Sequence, residues 1–274
     1  MLTLRTIQMR AMTGLKRYVY FTAFDNMNQR RGGAAILLLA EALMVASCDR
    51  GFNAGDTVTA GFFNNAEAGL ETAIEADDRT AIARAIAAGA KVTARGRHNV
   101  TPLMVAVDRL KPQAVAELLA RGADPNLKAD DGAGAVSLAV ENYRRAPEIM
   151  EMIFRGGGDP NTRRPDNDPV IMRFVNDRYC DGIRRMKALG ADLDITTRGD
   201  DPVITDAALG QDWDVVWCMI ELGAKYDYEE RSRQPISESL AGTFPSPDSP
   251  IYPYKVKVWE FLKAHSVAVP PLNR

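Results

Sequence analysis

Residues 101–126 read TPLMVAVDRLKPQAVAELLARGADPN, and this stretch decides the fold. The Thr101 hydroxyl is placed to cap a helix, Pro102 suits its first turn, and Leu103 begins its buried side. Pro112 opens a second helix whose apolar face runs from Ala114 to Leu119. Gly122 supplies the left-handed residue that closes that helix, and Pro125 keeps it from resuming. One unit is therefore helix, turn, helix, loop.

Working outward, the same closing glycine recurs at Gly89, Gly122, Gly157, Gly190 and Gly223, at intervals of 33, 35, 33 and 33 residues. A second marker lies upstream of each closure, at Gly69, Pro102, Ala135, Pro169, Pro202 and Pro235, at intervals of 33, 33, 34, 33 and 33. Two markers in phase predict about six helix-pair units stacked as a solenoid, an all-α architecture in which each unit touches its neighbours. Asp168-Pro169 and Asp201-Pro202 repeat the capping logic of Thr101-Pro102, and Pro147 marks a second helix as Pro112 does. The last unit is stretched, with 31 residues from Pro235 to Ser266 where Pro202 to Gly223 spans 21. The excess, residues 242–253, predicts a proline-rich loop between the last two helices, followed by a closing helix over 254–265.

These residues resemble the ankyrin family, whose Thr-Pro-Leu, Leu-Leu and Gly-Ala-Asp-Pro-Asn pattern is matched most fully at 101–126. Met104 stands where the family carries histidine, and from Asp168 onward the skeleton alone is kept. The resemblance covers 66–274 and implies an ankyrin-repeat domain that binds a protein. It also implies where: the inter-repeat loops and the first helix of each pair form the concave surface. In those loops stand Arg95, Arg97, His98, Arg163, Arg164, Arg198, Tyr226, Tyr228, Arg231 and Arg233. Arginine and tyrosine are common interface anchors.

The formal charge is -2, yet the first 47 residues hold six bases against two acids, which leaves the remainder at -6. An acidic body without a basic stripe argues against nucleic acid as a partner. From Met27 the chain reads MNQRRGGAAILLLAEALMVASCD, a basic stretch, a short apolar run and small residues before a cysteine, in the manner of a bacterial export signal. The apolar run is too short to span a bilayer. Val45-Ala46-Ser47-Cys48 resembles a lipobox, which implies cleavage before Cys48 and acylation of its sulfur; ordinary signal peptidase would also accept the ending. The reading is a signal segment over 1–47 with Met27 as the true start, a tether over 48–65, and a repeat domain over 66–274. The location that follows is the bacterial periplasm, on the inner or the outer membrane.

Candidate chemistry is sparse. His98 and His265 fall in units that do not touch, and the paired aspartates lie where loops enter helices and suit capping. Gly156-Gly157-Gly158 lacks the lysine of a phosphate loop and reads as a helix stop. Cys180 and Cys218 stand ten and five residues before their closing glycines, so level counting puts their Cα atoms too far apart for a disulfide and makes both packing residues. No catalytic residue, cofactor, metal or small-molecule substrate is expected. The combination of export, anchor and binding solenoid resembles immunity proteins that neutralise type VI secretion effectors such as phospholipases. The alternative is a membrane-tethered adaptor organising envelope proteins.

Overall fold

In the structure, a computed structural model, residues 62–64, 66–228, 235–242 and 245–272 are described. The export-like segment, Cys48, most of the tether, Arg231, Arg233 and residues 243–244 lie outside them.

The units follow the sequence phase. Twelve α-helices are present among the described residues, and these residues hold isolated β-bridges rather than strands. The first helices of the pairs are α1 (Ala66–Glu75), α3 (Pro102–Asp108), α5 (Ala135–Glu141), α7 (Met172–Asn176), α9 (Val203–Leu209) and α11 (Ile236–Ser239). The second helices are α2 (Arg79–Ala87), α4 (Pro112–Ala120), α6 (Pro147–Arg155), α8 (Cys180–Ala188), α10 (Trp213–Glu221) and α12 (Tyr252–Ala264). Within each row helices stack on their neighbours, α1 on α3 on α5 and α2 on α4 on α6, then α7 on α9 on α11 and α8 on α10 on α12. Spacing on each helix decides which side is hidden. In α6, Ile149, Met150, Ile153 and Phe154 are buried, a single stripe at helical period.

The closing glycines all take left-handed φ, from 85° to 108°, where a Cβ would be strained. Between units the chain makes short hairpin fingers, closed by the bridges Lys128 with Gly134, Arg163 with Pro169 and Thr196 with Pro202. The turning residues Asn99, Gly132, Asn167 and Asp200 also have positive φ, a conformation that Gly, Asn and Asp tolerate best. A ladder of side chains ties the loops beneath. Asn126 Oδ1 accepts from the Asp159 amide, Asn161 Oδ1 from the Asp192 amide, and Asp194 Oδ1 from the Lys225 amide, each at 2.8 Å.

Helix starts agree with the sequence in part. Thr101 Oγ1 accepts from the Met104 amide at 3.2 Å, and Pro112 and Pro147 open their helices as expected. Asp168 and Asp201 do not cap: α7 starts at Met172 behind Ile171, and α9 starts at Val203 with Pro202 as its N-cap. In both units the chain stays in the finger through the proline, and the Asp168 carboxylate accepts the Arg198 amide of the next finger instead. The closing helix begins at Tyr252, two residues ahead of expectation, because Pro253 suits a helix's first turn as well as it suits a loop. Gly69 falls inside α1 rather than at its start.

The expectation for the cysteines is overturned. Cys180 and Cys218 form a disulfide across a Cα–Cα distance of 6.0 Å. Cys180 is the first residue of α8 and Cys218 the sixth of α10, so the two outer helices lie staggered, with the start of one beside the middle of the next. Level counting treats stacked helices as unstaggered, and that assumption separated the pair.

The last unit is closed by its own chemistry. Lys255 on α12 is fully buried, donates to the Gly242 carbonyl and lies over the Trp213 ring, 5.8 Å from its centroid. Burial pulls its ammonium below the usual lysine range. This contact holds the start of the insert. The tail folds back so that Trp259 Nε1 donates to the Pro270 carbonyl at 2.7 Å, covering the end of the stack.

Candidate protein-binding surface

The described cations among those expected to face a partner lie in the fingers, and most are engaged within the fold. Arg95 Nη1 donates to the Asn99 carbonyl of its own finger at 3.1 Å and to the Lys128 carbonyl of the next at 2.9 Å. Arg163 repeats the arrangement, with 2.7 Å to the Asn167 carbonyl and 3.0 Å to the Thr196 carbonyl. Between them Lys128 Nζ reaches the Arg163 carbonyl at 2.8 Å. One basic rung per unit therefore ties each finger to the next, satisfying carbonyls that a solvent-exposed hairpin leaves open. Lys128 was not among the expected residues, although it lies 33 residues after Arg95 and 35 before Arg163.

Arg164 and Arg198 come together on one carboxylate. Arg164, with 15% of its side chain exposed, lies 2.9 Å from Asp166, 3.3 Å from Glu141 and 3.7 Å from Asp168. Arg198 reaches the same Asp168 at 3.8 Å, and its amide donates to Asp168 Oδ1 at 2.9 Å. Around them Arg173 pairs with Glu141 at 2.9 Å and with Asp177 at 3.2 Å, and Tyr143 donates to Asp177 at 2.9 Å. Three units are thus linked by charge. Burial, with Asp168 and Asp201 nearby, pushes the Asp206 carboxyl up, while Arg198 opposes the rise.

Arg97 and His98 sit exposed at the first finger, where the His98 carbonyl accepts from the Asp130 amide at 3.0 Å. Tyr226 and Tyr228 lie in the loop that follows α10. Tyr226 makes edge contacts with Phe261 and His265, at centroid distances of 5.0 Å and 5.6 Å. The Tyr228 hydroxyl donates to Asp194 at 2.8 Å; burial, then that contact, pushes the phenol well above its ordinary range. His98 and His265 are in separate units, as the spacing requires.

The first helices of the pairs also share one equivalent position, Asp108, Glu141, Asn176 and Leu209, at which Glu141 is engaged by Arg164 and Arg173. The row changes from carboxylate to amide to an apolar side chain, and Leu209 is 41% exposed. Sequence reasoning missed this row because it favoured arginine and tyrosine over position in the repeat. Among the described residues no group of three or more His, Cys, Asp or Glu could hold a metal ion, and no helix is long and apolar enough to cross a membrane.

Comparison with known proteins agrees with this geometry. The family model described as Ankyrin repeat matches residues 98–130, the first finger through the second unit. A stretch of 80 residues is 30% identical to part of the E3 ubiquitin-protein ligase KEG of Arabidopsis thaliana. That stretch is 29% of this chain and 5% of the relative, so the chain spans a small fraction of the plant protein's length.

Proposed function

We propose that this ankyrin-repeat solenoid is a non-catalytic, membrane-anchored protein of the bacterial periplasm that binds and neutralises a type VI secretion effector. An ankyrin-repeat array is a protein-binding architecture, and protein binding is the role that the matched repeat and the stacked units give this chain. The observation that carries the finer reading is the disulfide between Cys180 and Cys218. Such bonds persist in oxidising compartments and are rare in reducing cytosol. The export-like segment before Cys48 argues the same way, and acylation of Cys48 would hold the domain on a membrane without a spanning helix.

An immunity protein of this plan covers the effector's active-site entrance or its membrane-contact surface with its concave face, one to one. The test is co-purification from the native host through an affinity-tagged chain, followed by co-expression with the captured protein. A toxic envelope-directed enzyme, held stoichiometrically and silenced by this chain, supports the reading. Capture of envelope enzymes whose activity persists in the complex supports the adaptor alternative and removes the immunity role.

A further inference from the structure

The N-terminal edge of the solenoid breaks the repeat rule twice in one place. Each later described finger has another finger before it; among the described residues the first has the short strap of residues 62–64 in that position instead. The strap is held firmly. The amides of Phe62 and Phe63 donate to the Glu71 carboxylate at 3.0 Å and 3.3 Å, and the Arg97 amide donates to the Phe62 carbonyl at 2.9 Å. Phe63 is buried against the finger. Gly96 permits the approach, since a Cβ there would stand 2.5 Å from the Phe62 carbonyl oxygen and 2.9 Å from the Phe63 ring.

The second break is Lys91. At its position the next three units carry Asp124, Asp159 and Asp192, whose carboxylates turn back to accept the amide two residues on, at 2.9, 2.8 and 2.9 Å. Lysine cannot accept, so the turn at Lys91 is closed by the backbone alone, the Ala94 amide donating to the Lys91 carbonyl at 3.0 Å. In the fifth unit the position is lysine again, and Lys225 lies 3.8 Å from Asp194. Lys91 instead lines a cleft of about 330 Å³ between strap and finger, together with Arg95, Arg97, Glu67 and the two phenylalanines. Three cations and one carboxylate thus meet in a cleft on a body that is otherwise acidic.

We propose that this cleft binds a phosphate ester that carries a free hydroxyl, of the glycerol phosphate class. Lys91 supplies charge-assisted donors to the phosphate oxygens, and Arg97 and Arg95, the latter tied through one nitrogen to two carbonyls, add positive charge. Glu67, whose Oε1 accepts from the Lys91 amide at 3.5 Å, disfavours a bare polyanion and has a second oxygen to accept a hydroxyl. Phe62 and Phe63 give the carbon backbone an apolar wall. A cleft of this size stands at the small end of ligand sites, as a small polar ligand requires. The same chemistry is offered by free glycerol phosphate and by the headgroup of phosphatidylglycerol.

The test uses the full-length chain carrying Cys48→Ser, so that no acyl group contributes. Binding is measured by calorimetric titration with glycerol 3-phosphate and by sedimentation with vesicles of phosphatidylglycerol or of phosphatidylcholine. Lys91→Asp is the decisive variant, because it installs the residue that three other units already fold around. The expected result is saturable binding that Lys91→Asp and Arg97→Ser each weaken by about tenfold or more, with the thermal transition unchanged. Binding in solution identifies a free metabolite, and binding to phosphatidylglycerol vesicles alone identifies the headgroup. Binding in neither arm, or binding that Lys91→Asp leaves unaltered, overturns the proposal.

Discussion

The second unit, 101–126, and the fourth, 169–194, share one backbone plan and differ in what holds them. In the second, α3 buries every residue from Pro102 to Val107, and Thr101 caps it. In the fourth, α7 has five residues and no side-chain cap, and α8 buries Gly182, Ile183 and Met186 along an otherwise polar helix. The deficit is made up from outside the unit. Tyr143 of the third unit packs edge-on to Phe174 at 4.6 Å and stacks on Tyr179 at 5.4 Å. On the other side, the disulfide fastens α8 to α10. Turns, closing glycines and fingers thus set the architecture, while the means of cohesion changes from unit to unit.

That difference can be broken at three points. The largest effect is expected from Phe174→Ala, which removes the centre of the aromatic contact from a fully buried site. It should destabilise the chain by about 3–5 kcal/mol, read by chemical denaturation. Next, replacing Cys180 and Cys218 together by alanine should cost about 2–4 kcal/mol. Because each unit is stabilised by its neighbours, this loss should split the unfolding curve, the C-terminal units melting first. A single, unshifted transition would show that α8 does not need the bond. The smallest effect is expected in the second unit, where Thr101→Ala removes one cap and should cost about 1 kcal/mol in the same experiment without altering cooperativity.

Much of this was legible in the sequence, for reasons that the residues make plain. Gly122 and its equivalents end helices through their own backbone freedom, so their phase gave the units directly. Pro112 and Pro147 did the same for helix starts. The disulfide was hidden because it depends on the stagger between neighbouring outer helices, a tertiary quantity that position within a repeat does not carry. The arginines have a role within the stack that composition does not show. Arg95 and Arg163 have the composition of interface anchors, but their guanidinium groups face carbonyls of the adjoining finger. Equivalence with Lys128 would have revealed that role, since a residue repeated at one position in successive units serves the stack. Lys91 teaches the converse, because it departs from an aspartate that three units use structurally.

The measurement that bears most directly on the account is the redox state of Cys180 and Cys218 in the native cell. Intact cells are quenched in acid, free thiols are blocked, disulfides are reduced, and the released thiols are labelled and mapped by mass spectrometry in the envelope and cytosolic fractions. Both cysteines are expected to carry the second label, in a chain recovered with the envelope. Both cysteines free, in a chain recovered from the cytosol, would contradict the compartment and remove the covalent tie on which the fourth unit's stability is argued to rest.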